Sequence, residues 1–196
     1  MDKITVAILA GGQGRRLGGL DKGLVRLRGR RLVERVLHNL PDDIPALIVA
    51  NRNVSAYRTL GVPVVSDPWA DFRGPLAGIL AALRTATTPW VQIIPCDGVR
   101  LPEELLSRLS ARFNEDLQAV YAESDGQGHY LCCLLKRNLE AQLSAALDKG
   151  ERAPRRWLAD IGAQSVDFSD VQPRPLWSLN SPAELADAYV HLSRGY

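Results

Sequence analysis

From residue 11 to residue 23 the sequence reads GGQGRRLGGLDKG, a run in which glycines are interleaved with Arg15, Arg16 and Lys22. Residues without side chains let backbone N–H groups approach an anion closely, and the basic side chains add fixed positive charge. Phosphate is the guest this composition suits. Two familiar phosphate loops do not fit. The dinucleotide fingerprint needs a third glycine where Leu17 stands, counting from Gly12 and Gly14. The P-loop needs Gly-Lys-Ser/Thr, whereas Lys22 follows Asp21 and precedes Gly23. A carboxylate able to hold a hard cation, Asp97, closes the apolar run WVQIIPCD. Its plainer reading is the cap of a following helix. Asn51 and Asp67 close two further apolar runs, and their residue types suit either ligand contact or turn chemistry.

These residues need elements to position them. ITVAILA (residues 4–10), ALIVANR (46–52), VPVVSD (62–67) and WVQIIPCD (90–97) read as buried strands. Between them, residues 31–40 carry Leu32, Val33, Val36, Leu37 and Leu40 at helical spacing. Residues 74–86 open with Gly74-Pro75 and continue as a strongly apolar helix. Strands alternating with helices predict an α/β fold, doubly wound, with a mostly parallel sheet and helices on both faces. In such sheets ligands bind beyond the carboxyl ends of the strands. The residues just past those ends are the loop up to Lys22, Asn51, Asp67 and Asp97.

Further along, a helix is expected over residues 102–113. Strand-like runs over 117–124 and 129–137 flank DGQG, which suits a hairpin turn or another connection. A helix over 138–147, a segment over 153–158, the run SVDFSD and a last helix capped by Asn180 or Ser181 complete the pattern. Length and the absence of a linker predict a single domain over residues 1–196.

Composition excludes several classes of function. A net charge of +2 gives no general pull toward nucleic acid. Arg26, Arg28, Arg30 and Arg31 lack interleaved aromatics and read as a solvated basic face. The apolar run at residues 4–10 is better explained as a buried strand than as a secretory signal, and no segment has the unbroken apolar length of a membrane span. A cytoplasmic protein is expected. Cys96, Cys132 and Cys133 have neither disulfide nor zinc spacing and read as buried thiols, with the adjacent pair facing opposite sides of a strand. His38, His129 and His191 lack metal-ligand spacing, and the four tryptophans read as core or rim aromatics.

The stretch LAGGQGRRLGGLDKG closely resembles the signature of nucleotidyltransferases that carry Leu-Ala-Gly-Gly, a short spacer, Arg, Met or Leu, Gly and then Lys. Together with GGLDKGLVRLRGRRLVERVL, SDPWADFRGPLAGI, VDFSD and LNSPAEL, it makes the chain similar to the molybdenum cofactor guanylyltransferases over nearly its whole length. That resemblance implies transfer of GMP from GTP to the phosphate of molybdenum-loaded molybdopterin, with release of pyrophosphate and Mg²⁺ as cofactor. It implies that Leu9, Ala10, Gly11 and Gly12 hold the guanine and ribose side, with Asn51 and Asp67 contributing to nucleotide recognition. Arg16, Gly19 and Lys22 match triphosphate-handling positions, and Asp97 matches the magnesium ligand. Pro75, Leu76, Ala77, Gly78 and Asn180 are placed toward the pterin. Proteins that deliver molybdopterin or mature molybdoenzymes are implied as partners. The chain departs from the family pattern at Gly98-Val99 and at Ser178. Cytidylyl transfer to the same pterin, a related nucleotidyl transfer, or GTP binding without catalysis are the alternatives.

Overall fold

A computed structural model describes residues 3–10, 12, 18–67, 69, 74–98, 100–112, 116–172, 175, 178–179 and 184. Its centre is a seven-stranded sheet in the order β5-β4-β1-β6-β8-β7-β9. The strands are β1 (Ile4–Leu9), β4 (Ala46–Val49), β5 (Val64–Val65), β6 (Trp90–Pro95), β7 (Ala119–Ser124), β8 (Gln127–Lys136) and β9 (Gln164–Asp167). Pairing is parallel from β5 through β6 and between β7 and β9, while β8 runs antiparallel to both its neighbours. The doubly wound, mostly parallel expectation holds, with β8 as the reversed strand.

Alternation along the strands builds two cores. On one face Ile4, Val6 and Ile8 of β1 pack with helices α1 (Leu32–His38), α2 (Val54–Arg58) and α4 (Leu105–Ser110), which contribute Val33, Tyr57 and Leu109. On the other, Ala7, Val91 and Ile93 pack with α3 (Pro75–Thr85), α5 (Glu140–Asp148) and α6 (Pro154–Asp160) through Leu80, Leu143 and Trp157. Cys132 joins the first core and Cys133 the second, as expected for neighbours on a strand. Pro75 opens α3, where a missing N–H costs nothing. Gly78 lets that helix lie on the sheet, since a Cβ there would meet Leu9 Cδ2 at 3.3 Å.

Some elements differ from the sequence expectation. Arg26–Leu27 and Arg30–Arg31 form a small hairpin, β2 and β3, which buries Leu27 and turns through Arg28 and Gly29 at φ 53° and 79°. Arg31 then precedes α1, where its backbone N–H donates to Glu34 Oε2 at 2.6 Å. This segment is therefore a folded unit as well as a basic surface. The expected DGQG turn is a hairpin, with Asp125 and Gly126 at φ 52° and 74°. Above it the β7–β8 register shifts between Tyr121 and Ala122. Helix α2 was not anticipated, and the expected last helix lies outside the described residues except Glu184.

Candidate active site

The chain leaves β1 toward β4 and β5 on one side and returns to β6 on the other, so the direction of strand order reverses between β1 and β6. That reversal opens a crevice at the carboxyl ends of the two strands. Their pairing runs in register from Ile4↔Trp90 to Leu9↔Pro95, and Cys96 N–H donates to the Leu9 carbonyl at 3.0 Å. The loop after β1 and Asp97 after β6 thus emerge side by side. Ala10 N–H donates to Val49 O, and Ala50 N–H to Val65 O, both at 2.8 Å, which brings Asn51 and Asp67 to the same end of the sheet.

At the crevice Lys22 Nζ donates to Asp97 Oδ2 at 2.9 Å and to the Leu179 carbonyl at 2.5 Å. The Leu179 N–H in turn donates to Asp97 Oδ2 at 3.3 Å. Loop end, strand end and a distant segment meet at one carboxylate whose residue is 6% exposed. Asp97 Oδ1 makes no hydrogen bond among the described residues. Those residues contain no group of three or more His, Cys, Asp or Glu able to hold a metal. One free carboxylate oxygen fits Mg²⁺, which takes one or two carboxylates and completes its shell with water and substrate phosphates.

The glycine loop enters this site through a rigid end. Gly18 and Gly19 have φ of 64° and 82°, where a side chain is strained. Arg52 donates from Nη1 to the Gly19 carbonyl at 2.8 Å and from Nη2 to the Leu20 carbonyl at 2.7 Å. The buried Asp21 carboxylate accepts from Tyr57 Oη at 2.5 Å and from Asn53 Nδ2 at 2.9 Å, with Arg52 Nε 3.6 Å away. Gly23 is fixed beneath Tyr57, because a Cβ would lie 2.5 Å from Tyr57 Oη and 3.3 Å from Cys96 Sγ. Sequence reasoning missed Arg52, Asn53, Tyr57 and Leu179. Arg52 and Asn53 carried one available signal, their place directly after Asn51 at a strand end.

Asn51 and Asp67, each expected just past a strand end, meet there. Asn51 Nδ2 donates to Asp67 Oδ2, Asp67 N–H donates to Asn51 Oδ1 at 2.9 Å, and Trp69 N–H donates to Asp67 Oδ1 at 3.1 Å. Asp67 is therefore held by the amide and by its own turn, which is the turn chemistry that its residue type suits. Leu76 and Ala77 are fully buried in the core, so anything they give a ligand comes through the start of α3 rather than their side chains. Gly11, Arg16, Asn180 and Trp177 lie outside the described residues. Gly98 is explained locally, since a Cβ would press on Leu101 at 2.9 Å.

Among the described residues, the buried thiols and His129 offer no competing chemistry. Burial pushes the thiols of Cys96, Cys132 and Cys133 above their ordinary range, which keeps them protonated and unreactive. His129, half-buried and paired at 2.7 Å through Nε2 with Ser124 Oγ, is held down to about 4 by desolvation. No helix of the described residues is long and apolar enough to cross a membrane.

Comparison with known proteins follows the same lines. Residues 6–166 match the MobA-like NTP transferase domain family. A molybdenum cofactor guanylyltransferase of Polynucleobacter asymbioticus is 38% identical over 190 residues, covering 94% of each chain. One from Mannheimia succiniciproducens is 41% identical, covering 91% of this chain and 98% of its own. Among solved structures, molybdopterin-guanine dinucleotide biosynthesis protein A of Archaeoglobus fulgidus superposes with a TM-score of 0.81 at 22% identity, covering 97% of this chain and all of its own. A nucleotidyl transferase of Methanothermobacter thermautotrophicus gives 0.76 at 18% identity, covering 99% of both chains. These two show the shared fold.

Proposed function

Because the chain belongs to the MobA-like NTP transferases, we propose that it transfers GMP from GTP to the terminal phosphate of molybdenum-loaded molybdopterin. The single observation that carries the site assignment is the meeting of Lys22 and Asp97 at the crevice between β1 and β6. An oxygen of the acceptor phosphate forms a bond to the α-phosphorus, the bond from that phosphorus to the α–β bridging oxygen breaks, and pyrophosphate leaves. No general base is needed, since the attacking phosphate is already ionised near neutral pH. The chain's task is positioning and charge neutralisation.

In this reading Leu9, Ala10, Gly11 and Gly12 hold the guanosine side, with Asn51 and Asp67 on the nucleotide. The mutual hydrogen bonds of Asn51 and Asp67 support that pairing by fixing the orientation of both side chains. Arg16, Gly19 and Lys22 handle the triphosphate. Lys22 is suited to the charge that develops on the leaving pyrophosphate, because its ammonium is held at the crevice by Asp97 and the Leu179 carbonyl. Asp97 would hold Mg²⁺ through the carboxylate, and the ion when bound would neutralise phosphate charge. Pro75, Leu76, Ala77, Gly78 and Asn180 form the acceptor side. Leu179, placed against Lys22 and Asp97, supports a role in the site for the segment that carries it.

The whole chain acts as one nucleotidyltransferase domain in this account, and the proteins that supply the pterin and take the product are its expected partners. Pyrophosphate release tests the function. It should require GTP, Mg²⁺ and the molybdenum-loaded pterin together. Binding of GTP with no release under those conditions would favour a silent nucleotide-binding protein.

A further inference from the structure

The Arg52 guanidinium is committed to two backbone carbonyls of the loop, those of Gly19 and Leu20, at 2.8 and 2.7 Å. In a planar trans peptide the C=O and the following N–H point in opposite directions. Holding these carbonyls therefore turns the N–H groups of Leu20 and Asp21 away from Arg52. Among the described residues neither N–H has a hydrogen-bond partner. A carbonyl oxygen facing an anion repels it, whereas an N–H facing it attracts it, so the orientation of these two peptides decides whether this end of the loop welcomes phosphate.

The latch is itself braced. Asp21 takes hydrogen bonds from Tyr57 and Asn53, and its Oδ2 lies 3.6 Å from Arg52 Nε. The next residue is Lys22. On the other side, Arg52 directly follows Asn51, whose amide is bonded to Asp67. One short segment after β4 thus touches both the nucleotide-recognition pair and the phosphate loop.

We propose that Arg52 is a positioning residue that holds the Gly19–Leu20 peptides with their carbonyls turned from, and their N–H groups turned toward, the β- and γ-phosphates of the nucleoside triphosphate. This rests on the nucleotidyl-transfer reading of the site. Arg52 works through these two peptides and does not itself touch the substrate.

The test is Arg52→Lys in the full chain. Lysine keeps the charge but lacks the rigid fork that holds two acceptors at once. Affinities for Mg-pyrophosphate and for GMP are measured separately, with the thermal midpoint and the GTP dependence of transfer. Loss of the fork should weaken Mg-pyrophosphate binding by about tenfold, a scale set by one charge-assisted hydrogen bond. GMP affinity should change by less than about twofold, and the midpoint should fall by no more than about 5 °C, the scale of one lost charge-assisted hydrogen bond in a chain of this size. Unchanged pyrophosphate affinity and transfer would overturn the latch alone. Equal weakening for GMP and pyrophosphate with a lowered midpoint would also overturn it, by reducing Arg52 to a structural role. Wild-type protein that binds neither GTP nor Mg-pyrophosphate would overturn both the latch and the function on which it rests.

Discussion

Lys22 and Asp97 lie 75 positions apart in the chain and 2.9 Å apart in space. They meet because β1 and β6 pair in register up to Leu9 and Pro95, so the segments following both strands start at the same level. The Leu179 backbone closes the group by donating to Asp97 and accepting from Lys22. A cation, a carboxylate whose second oxygen makes no hydrogen bond among the described residues and the Gly18–Lys22 end of the glycine-rich segment thereby share one crevice, an arrangement suited to neutralising phosphate charge.

Asp97→Asn should lower the rate of transfer by about a hundredfold or more, on the scale of losing one preorganised electrostatic contact. The fold should survive, because an amide oxygen can still accept from Lys22 and from Leu179 N–H. Steady-state rates over a range of Mg²⁺ concentrations check this. A variant with wild-type rate would remove Asp97 from the metal role.

Lys22→Gln should reduce kcat more than it raises KM for GTP, since the ammonium is assigned to charge that develops on the leaving pyrophosphate. Equilibrium binding of GTP measured beside the kinetics separates the two effects. If affinity alone fell and kcat held, Lys22 would be a ground-state binder.

Gly23→Ala should destabilise the protein by roughly 1–3 kcal/mol, the usual cost of overpacking, because the new Cβ would meet Tyr57 Oη at 2.5 Å. For a chain of this size that is a fall in thermal midpoint of roughly 3–10 °C. The fall should be smaller when Gly23→Ala is made in a Tyr57→Phe background, where the obstructing hydroxyl is gone. Equal losses in both backgrounds would contradict this packing account.

How much of this the sequence carried depends on how local each feature is. The glycine-rich loop stood out because Gly11, Gly12, Gly14, Arg15, Arg16 and Lys22 sit together in the sequence, and the place of Asp97 beside Lys22 was prepared by its ending an unbroken apolar run. The alternation that sends Cys132 and Cys133 to different cores follows from strand geometry alone. Helix α2 was not legible, because a five-residue helix is too short to set up a helical period. With it went Tyr57 and the bracing of Asp21. Arg52 gave no sign of its target, since backbone carbonyls of Gly19 and Leu20 have no signature in a sequence. The hairpin at residues 26–31 was obscured by its arginines, which look solvated, although Leu27 between them is 1% exposed. Leu179 acts through its backbone, so its residue type says nothing of its place beside Lys22.

His129 gives a pH dependence with a definite sign. Burial holds its folded-state pKa at about 4, below the ordinary 6.5, so the unfolded chain takes up more protons between those values. Stability should therefore fall as pH drops from 6.5 toward 4, and His129 should contribute nothing to the slope above that window. Thermal midpoints at about pH 5 and about pH 7.5 should differ less in His129→Gln than in wild type. An identical difference in both proteins would contradict the assigned burial effect.

The central claim is met most directly by a competition experiment. The protein is given GTP and CTP together, each labelled at the α-phosphate in parallel reactions, with molybdenum-loaded molybdopterin and Mg²⁺, and labelled pterin and pyrophosphate are both followed. The account predicts transfer from GTP in strong preference to CTP, with one pyrophosphate released for each labelled pterin formed. Transfer from CTP in preference to GTP would keep the chemistry at Lys22 and Asp97 but contradict guanylyl transfer, and nucleotide binding with no labelled pterin would contradict the claim altogether.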